Sequence, residues 1–280
     1  MKPSLSSTTR VVALLGDPVS HSLSPVIQNA ACAAAGVDGV YVALRCTSEQ
    51  LPSLMQAIAH AGGCGNVTLP YKERAAAVVQ VRSETVQKTG ACNTFWSDGG
   101  KLRGDNTDVE GFSRALERFL GRRPKGQRVL LLGAGGAARG VLLALLNDGV
   151  REVMLYNRTV DRARAVSRRI GGRHVRVAST FNDVRDGRFD LVVNATRLSL
   201  DPADPLPLEL SRLEHAGAVM DLVYGREETR FVRAAREFGV PATDGGEMLV
   251  QQGAVAFERW WGCDAPVDAM RAALEAERRG

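Results

Sequence analysis

Four short polar segments in the first half of the chain carry the side chains best suited to chemistry. Together they offer hydroxyls, amides, an ammonium group and a carboxylate, which suit the binding of a polyhydroxylated small molecule. Taken singly, each segment could instead be a turn or a helix cap, with Ser24 and Thr107 as the capping residues. The segments are HSLSP at 21–25, NVTLPYK at 66–72, ACNT at 91–94 and GDNTD at 104–108.

Lys72 and Asp108 are the candidates for proton transfer within these segments. Hydride delivered to a ketone leaves an alkoxide that needs a proton, and a lysine can donate that proton or accept it in the reverse direction. Only Lys2, Lys72, Lys88, Lys101 and Lys125 are lysines among 36 basic residues. The chain therefore uses lysine sparingly, and arginine cannot release a proton at useful pH. His21 is a weaker candidate, because one histidine without partners is poor evidence for a catalytic role.

A glycine-rich segment in the second half predicts a dinucleotide site. Residues 128–132 form a predicted strand, and a predicted helix covers 141–147. A G-x-G-x-x-A pattern between a strand and a helix places a pyrophosphate at the positive helix end. The residues of this turn are Gly133, Ala134, Gly135, Gly136, Ala137 and Ala138.

The end of the next strand favours NADP over NAD. An NAD enzyme usually has a carboxylate there to hold the ribose 2′-hydroxyl. This chain has Asn157, Arg158 and Thr159 instead, with Arg162 one turn later. A guanidinium suits a 2′-phosphate. Asn157 and Thr159 could also cap the following helix.

The alternation of strand-like and helix-like segments indicates an α/β protein with mostly parallel sheets. The predicted strands are 11–15, 40–44, 66–69, 128–132, 152–156, 191–194 and 218–222. The predicted helices are 24–35, 51–61, one from about 71, 141–147, 160–170, 227–238, 248–261 and 267–278.

Composition excludes several classes of protein. The net charge of +5 comes from dispersed basic residues, and aromatic residues are only 5%. This predicts no nucleic-acid binding, because no stacking platform is present. The five cysteines fit neither a disulfide framework nor a zinc site, so we expect reduced thiols in a cytoplasmic protein without a metal. No stretch is long and apolar enough for a membrane span. The expected assembly is a monomer or a homodimer.

The ordered polar segments resemble the shikimate dehydrogenase family. The family motifs S-x-S-P, N-V-T-x-P-x-K, G-A-x-N-T and G-D-N-T-D occur in this order. They are followed by G-A-G-G-A, N-R-T and D-G-x-x-M-L-V-x-Q, so that the match covers about residues 11–261. The resemblance implies NADPH-dependent reduction of 3-dehydroshikimate to shikimate in aromatic amino acid biosynthesis, the route to chorismate.

The resemblance also implies roles for individual residues. Lys72 would be the acid/base and Asp108 its partner. The cofactor turn would be Gly133–Ala137, with Asn157, Arg158, Thr159 and Arg162 at the 2′-phosphate. Substrate positions would be Ser22, Ser24, Thr68, Asn93, Asp108, Tyr224 and Gln252, and Leu222 and Gly245 would lie near the nicotinamide. We expect a substrate domain at 1–107, completed by helices in 247–280, a Rossmann-type NADP domain at 108–246, and a cleft between them.

Three positions depart from the family pattern. Arg197 follows N-A-T where serine is usual, Arg226 lies where the family has a nearby proline, and Glu247 replaces a small or apolar residue. A related enzyme acting on quinate or an aminoshikimate therefore stays open. A ligand sensor of the same fold is a further alternative, although a sensor would be expected to lose the lysine–carboxylate pair.

Overall fold

The chain divides into two compact units in the computed structural model, which describes residues 5–199, 201 and 203–279. The first unit comprises Met1–Gly111 and Leu249–Gly280, and the second comprises Phe112–Met248. Residues 1–4 and 280, at the outer limits of the predicted substrate domain, lie outside the described residues.

The first unit contains one six-stranded sheet. Its strands are β1 (Arg10–Gly16), β2 (Gly39–Arg45), β3 (Cys64–Val67), β4 (Val81–Arg82), β5 (Thr94–Asp98) and β6 (Lys101–Asp105). Their order in the sheet is β2-β1-β3-β5-β6-β4, with β5 antiparallel to both neighbours and the other pairs parallel. Its helices are α1 (Ser24–Ala35), α2 (Leu51–His60), α3 (Lys72–Val78) and α4 (Glu84–Thr89).

The second unit contains a six-stranded sheet in which every pair is parallel. Its strands are β7 (Arg128–Leu132), β8 (Glu152–Tyr156), β9 (Val175–Ala178), β11 (Leu191–Asn194), β13 (Val219–Asp221) and β14 (Ala242–Thr243). The strands β10 (Arg188–Phe189) and β12 (His215–Ala216) form a separate, two-stranded parallel sheet. The sheet order is β14-β13-β11-β7-β8-β9. The helices here are α6 (Gly136–Asn147), α7 (Val160–Val166) and α8 (Arg230–Glu237).

Three further helices complete the described part of the chain. α5 (Asp108–Leu120) and α9 (Gly246–Trp261) contain residues of both units, and α10 (Val267–Arg279) belongs to the first unit. None of the helices in the described ranges combines the length and apolar character that a membrane crossing requires.

The continuous apolar run of β1 is explained by burial on both faces of the first sheet. Successive side chains of a strand point to opposite faces. Leu14 packs in a cluster with Trp260 of α9, whereas Leu15 packs in a second cluster with Met55 of α2. Burial on both faces explains the apolar residues from Val12 to Leu15, a pattern seen in parallel sheets, whereas Val11 is exposed.

Three predicted strands, β7, β8 and β11, have the bounds expected from the sequence. The helix boundaries were less accurate. α6 begins at Gly136, five residues before the predicted start, because Gly135 is already the N-cap in an extended conformation. The predicted helix 160–170 is wrong beyond Val166, where a π-helical turn covers Ser167–Gly171.

One predicted N-cap and one further helix start also need correction. Ser24 is not the N-cap of α1. Leu23 occupies that position, and Ser24 is the first helical residue, its backbone N–H donating to Ser22 Oγ at 3.2 Å. α8 begins at Arg230 rather than 227, because the Thr229 side chain accepts a hydrogen bond from the Val232 N–H and caps the helix there.

Candidate active site

The register of the first sheet brings the polar segments to one edge. β1 and β3 run parallel, with Leu15 opposite Val67, so both strands end at this edge. Thr94 is opposite Asn66 and also opposite Asp105, so β5 starts and β6 ends at the same edge. The segments that meet the sheet there are 21–25, 66–72, 91–94 and 104–108.

Lys72 and Asp108 form a short ion pair at this edge. Lys72 is the first residue of α3, and Asp108 is the first residue of α5. The distance from Lys72 Nζ to Asp108 Oδ2 is 2.6 Å, and the two side chains are 13% and 5% exposed. A buried carboxylate at a helix N-terminus is also favoured by the helix dipole. The sequence thus places an ammonium group and a carboxylate together where little water reaches either.

Asn93 holds the other oxygen of the Asp108 carboxylate. Its Nδ2 donates to Asp108 Oδ1 at 2.9 Å and to Thr107 Oγ1 at 3.0 Å. Its Oδ1 accepts from the Thr107 N–H at 2.8 Å. The backbone N–H of Cys92 donates to the Lys72 carbonyl at 2.8 Å, which joins the same segment to α3. Both ends of the ion pair are therefore fixed by the segment 91–94.

Two buried polar residues behind this site, Asp105 and Asn66, belong to the predicted polar segments but were given no individual role by the sequence analysis. Asp105 accepts hydrogen bonds from Ser83 Oγ at 2.6 Å, Thr85 Oγ1 at 2.5 Å and the Asn106 N–H at 2.7 Å, and pairs with Arg259 Nε at 3.2 Å. Burial raises the pKa of Asp105, but these donors outweigh it, so that the pKa lies below its ordinary value.

Asn66 is a second such residue. It accepts from the Tyr41 hydroxyl at 2.8 Å and donates to the Asn93 carbonyl at 3.0 Å. The available signal was that Asn66 and Asp105 are polar residues inside otherwise buried strands, where an unpaired polar group is costly.

The remaining predicted substrate residues of the first unit lie at several places around this edge. Ser22 lies in the turn before α1 and Ser24 is the first residue of α1, and only Ser24 is buried. Thr68 directly follows β3 and contacts the end of β1, since a Cβ atom on Gly16 would lie 2.5 Å from Thr68 Cγ2. Gln252 lies on α9 against the first turn of α5, because a Cβ on Gly111 would be 2.5 Å from its Cα.

The predicted dinucleotide turn leaves β7 and begins α6. Gly133 has a φ of 110° and its N–H donates to the Tyr156 carbonyl at 2.8 Å. A Cβ on Gly133 would lie 2.9 Å from the Ala195 carbonyl oxygen, so only glycine is tolerated there. A Cβ on Gly135 would meet nothing within 4 Å. Gly135 is therefore not required by internal packing, and its open side leaves room for a pyrophosphate against the start of α6.

The segment after β8 lies beside this turn. The hydrogen bond from Gly133 to Tyr156 brings the end of β8 next to the glycine turn. Asn157 Nδ2 donates to the Thr159 carbonyl at 2.8 Å, and neither residue makes a side-chain cap to α7. Arg158 and Arg162 are exposed and form no ion pair within the described ranges. Two exposed arginines thus lie in the segment after β8 and on the first turns of α7.

The other predicted cofactor positions of the second unit follow two neighbouring strands, Leu222 after β13 and Gly245 after β14. Leu222 and Gly245 are in direct contact, since a Cβ on Gly245 would lie 2.2 Å from the Leu222 carbonyl oxygen. Tyr224 lies two residues further along the same segment and is half-buried. Asp221, which precedes Leu222, is completely buried and was not predicted as a site residue. Burial raises the pKa of the Asp221 carboxyl to about 6, with a smaller contribution in the same direction from Asp244.

We expect Asp221→Asn to remove a pH-dependent loss of stability. Because the folded pKa of about 6 exceeds the ordinary 3.8, the native state keeps a proton that the unfolded chain has lost. The stability from this group is complete below the unfolded pKa and is lost as pH rises through the folded pKa, by about 3 kcal/mol in total. Urea unfolding from about pH 4 to pH 8 should show wild type losing stability relative to the variant. A difference that stays constant over this range would contradict the expectation.

The metal-ligating and thiol side chains are described only for the residues that the structure covers. Within ranges 5–199 and 203–279, no group of three or more His, Cys, Asp or Glu side chains is arranged to hold a metal ion. All five cysteines are free thiols, and only Cys263 is exposed. Burial raises the pKa of the Cys92 thiol, which lies behind Lys72, to about 12, so it stays protonated.

Comparison with protein families gives three separate matches in order along the chain. Residues 14–95 match the shikimate dehydrogenase substrate-binding domain, and residues 115–200 match shikimate/quinate 5-dehydrogenase. Residues 245–275 match the shikimate 5'-dehydrogenase C-terminal domain. The resemblance drawn from the ordered motifs is confirmed.

Individual relatives agree with this result over nearly the full length. A shikimate dehydrogenase (NADP(+)) of Rubrobacter xylanophilus is 42% identical over 98% of this chain and 99% of its own. The enzyme of the same name from Methanothrix thermoacetophila is 42% identical over 95% and 97%. The crystal structure of a Thermus thermophilus shikimate 5-dehydrogenase with NADP(H) and shikimate superposes with a TM-score of 0.85, at 37% identity over 95% and 99%. The predicted α/β class, with a Rossmann-type second half, is confirmed.

Proposed function

Because this chain belongs to the shikimate dehydrogenase family of NADP-dependent oxidoreductases, we propose that it interconverts 3-dehydroshikimate and shikimate. The observation that carries the proposal is the buried 2.6 Å ion pair of Lys72 with Asp108 at the polar edge of the first sheet. In this proposal, residues 1–107 and 247–280 form the domain that binds the substrate, and residues 108–246 form the domain that binds NADP. We also propose a cytoplasmic location, which the free thiols support.

Lys72 is the general acid and base in this mechanism. NADPH supplies the hydride when it is bound. Lys72 Nζ donates a proton to the carbonyl oxygen as that oxygen becomes a hydroxyl, and accepts the proton back in the oxidation direction. Asp108 Oδ2 accepts a hydrogen bond from Nζ and thereby orients it. Asn93 keeps Asp108 in place through Oδ1.

Six polar residues are proposed to bind and orient the substrate. Hydroxyl and amide groups match the hydroxyls and carboxylate of shikimate, because both partners donate and accept hydrogen bonds. The residues proposed for this role are Ser22, Ser24, Thr68, Asn93, Tyr224 and Gln252. The alternative substrate is quinate, since the family that matches residues 115–200 is described as shikimate/quinate 5-dehydrogenase.

The cofactor would be held by the start of α6 and by the segment after β8. The open side of Gly135 and the positive end of α6 suit the pyrophosphate. Arg158 and Arg162 suit the 2′-phosphate, and Leu222 and Gly245 are assigned to the nicotinamide end.

Arg158→Ala is expected to lower kcat/KM for NADP by about thirtyfold while changing the value for NAD by less than about twofold. The reason is that NAD has no 2′-phosphate for the guanidinium to bind. The measurement is a pair of steady-state titrations with the two cofactors. Arg164→Ala is the matched control, because Arg164 is an exposed arginine on α7 that pairs with Asp161. An equal loss of kcat/KM for NAD and NADP would contradict the proposal that Arg158 binds the 2′-phosphate.

The proposed function is tested by identifying the product. Purified protein with 3-dehydroshikimate and NADPH should form shikimate, detected by NMR, in a one-to-one ratio with the NADPH consumed. Consumption of NADPH without shikimate, or no consumption at all, would refute the proposal.

A further inference from the structure

Four backbone segments lie side by side at the carboxyl edge of the second sheet. The glycine turn touches the segment after β11, where a Cβ on Gly133 would lie 2.9 Å from the Ala195 oxygen and 3.2 Å from Thr196 Cγ2. The segment after β13 is joined to β11 by the Leu222 N–H, which donates to the Asn194 carbonyl at 2.9 Å. Gly245 then lies against Leu222. The glycine turn is therefore bordered by the segment after β11, and the segment after β13 supports that segment from its other side.

Asn194 holds the segment after β11 in shape. Its Oδ1 accepts from the Thr196 N–H at 3.0 Å and from Thr196 Oγ1 at 2.7 Å. Its Nδ2 donates to the Leu198 carbonyl at 3.1 Å. Thr196 Oγ1 in turn accepts from the Leu198 N–H at 3.1 Å. The shape of this segment therefore depends on the orientation of the Asn194 side chain.

Asp221 fixes that orientation from β13. Its Oδ1 accepts from Asn194 Nδ2 at 2.8 Å and from the Val223 N–H at 3.1 Å. Its Oδ2 accepts from Thr229 Oγ1 at 2.8 Å, at the start of α8. One fully buried carboxylate thus receives donors from β11, from its own segment and from α8.

A purely structural residue at this position would not need a charge. Burial raises the pKa of Asp221, so ionisation near neutral pH costs stability. The group nevertheless satisfies three donors at once, which requires both carboxylate oxygens. A residue whose ionisation lowers the free energy of unfolding is typical of a position on which function depends.

We propose that Asp221 is a positioning residue for NADP: through Asn194 and Val223 it holds the segments after β11 and β13 in the shape against which the glycine turn receives the dinucleotide. This inference rests on the proposed use of NADP. It does not rest on the identity of the reduced substrate.

The test is NADP+ binding to the full-length protein, measured by isothermal titration calorimetry. Asp221→Ala should raise the Kd for NADP+ by about tenfold, because three donors lose their acceptor and the segments relax. Thr196→Val leaves the buried carboxylate intact and removes the hydrogen bonds of Thr196 Oγ1 with Asn194 Oδ1 and the Leu198 N–H, while the direct bond from Asn194 Nδ2 to the Leu198 carbonyl remains. This variant should fold and still raise the Kd by about threefold. Hydrogen exchange of the unliganded Asp221→Ala protein should be faster at 195–198 and 222–223.

Two further variants separate positioning from charge and from general destabilisation. Asp221→Asn keeps one acceptor oxygen towards Asn194 and Val223, and should raise the Kd by less than about threefold. Asp190→Ala removes an exposed carboxylate that accepts from the Arg128 N–H at 2.7 Å, at the opposite end of β7. It should leave the Kd unchanged.

The inference is overturned if Thr196→Val binds NADP+ as tightly as wild type. It is also overturned if Asp190→Ala weakens binding as much as Asp221→Ala, or if the alanine and asparagine variants of Asp221 weaken it equally. Because the readout is binding and not turnover, a wild-type protein that binds NADP+ but does not reduce it with shikimate refutes the proposed function alone.

Discussion

Lys72→Ala is expected to lower kcat for reduction of 3-dehydroshikimate by about a thousandfold, which lies within the range attributed to a positioned general acid. The alkoxide oxygen would lose its proton donor. In the described residues, the Lys72 ammonium group is the one cation paired with Asp108. NADP+ binding should change by less than about twofold, because the lysine belongs to the first unit and the proposed cofactor residues to the second. The measurements are steady-state kinetics and calorimetric titration of NADP+.

Lys88→Ala is the matched control for this substitution. Lys88 is a lysine of the same unit, it pairs with Glu84, and half of its side chain is exposed. An exposed pair of this kind contributes little to stability, so both activity and folding should be close to wild type. Breaking the buried Lys72–Asp108 pair is expected to cost stability, so circular dichroism should establish that Lys72→Ala is folded at the assay temperature. A folded Lys72→Ala variant with near wild-type kcat would contradict the proposal that Lys72 is the proton donor.

Asp108→Asn is expected to lower kcat/KM by about a hundredfold, a loss that fits a disturbed acid and its partner. Asp108 accepts from Lys72 Nζ on one oxygen and from Asn93 Nδ2 on the other. An amide has one acceptor oxygen and one NH2 group, so in either orientation one donor faces another donor. Lys72 would then be displaced or Asn93 would turn away. Steady-state kinetics in the reduction direction measures the loss.

Asp98→Asn provides the comparison for this variant. Asp98 also pairs with a basic residue of the first unit, Arg103 at 2.7 Å, but the Asp98 side chain is 59% exposed and that of Arg103 is 41% exposed. Its loss should leave kcat/KM within about twofold of wild type. If the two variants have the same activity, the buried carboxylate is not needed and the proposed arrangement of the acid is wrong.

The strands of the second unit were the part of the fold most accessible from sequence. Arg128–Leu132, Glu152–Tyr156 and Leu191–Asn194 are short apolar runs bounded by polar or glycine residues, and each has the predicted bounds. Helix ends were harder, because several are decided by tertiary structure. The start of α1 is set by a turn that Ser22 closes, and α7 gives way to a π-helical turn without a proline or an obvious signal in its sequence.

The candidate site was predictable in its residue types and not in its supporting network. Lys72 and Asp108 are 36 positions apart, and the strand register that brings them within 2.6 Å is not visible in local patterns. The same holds for Asn194 and Asp221, which are 27 positions apart on neighbouring strands. Both look like ordinary strand ends in the sequence. Their importance follows only from complete burial and from the donors that converge on them.

The most direct test of the central claim is the rate at which the purified protein reduces NADP+ with shikimate, with quinate measured in parallel. The absorbance of reduced nicotinamide should rise with shikimate in the wild-type protein, more slowly with quinate, and not detectably with either substrate in Lys72→Ala. A wild-type protein that reduces NADP+ with neither compound would contradict the account. Faster turnover with quinate would contradict the assigned substrate while leaving the roles of Lys72 and Asp108 in place.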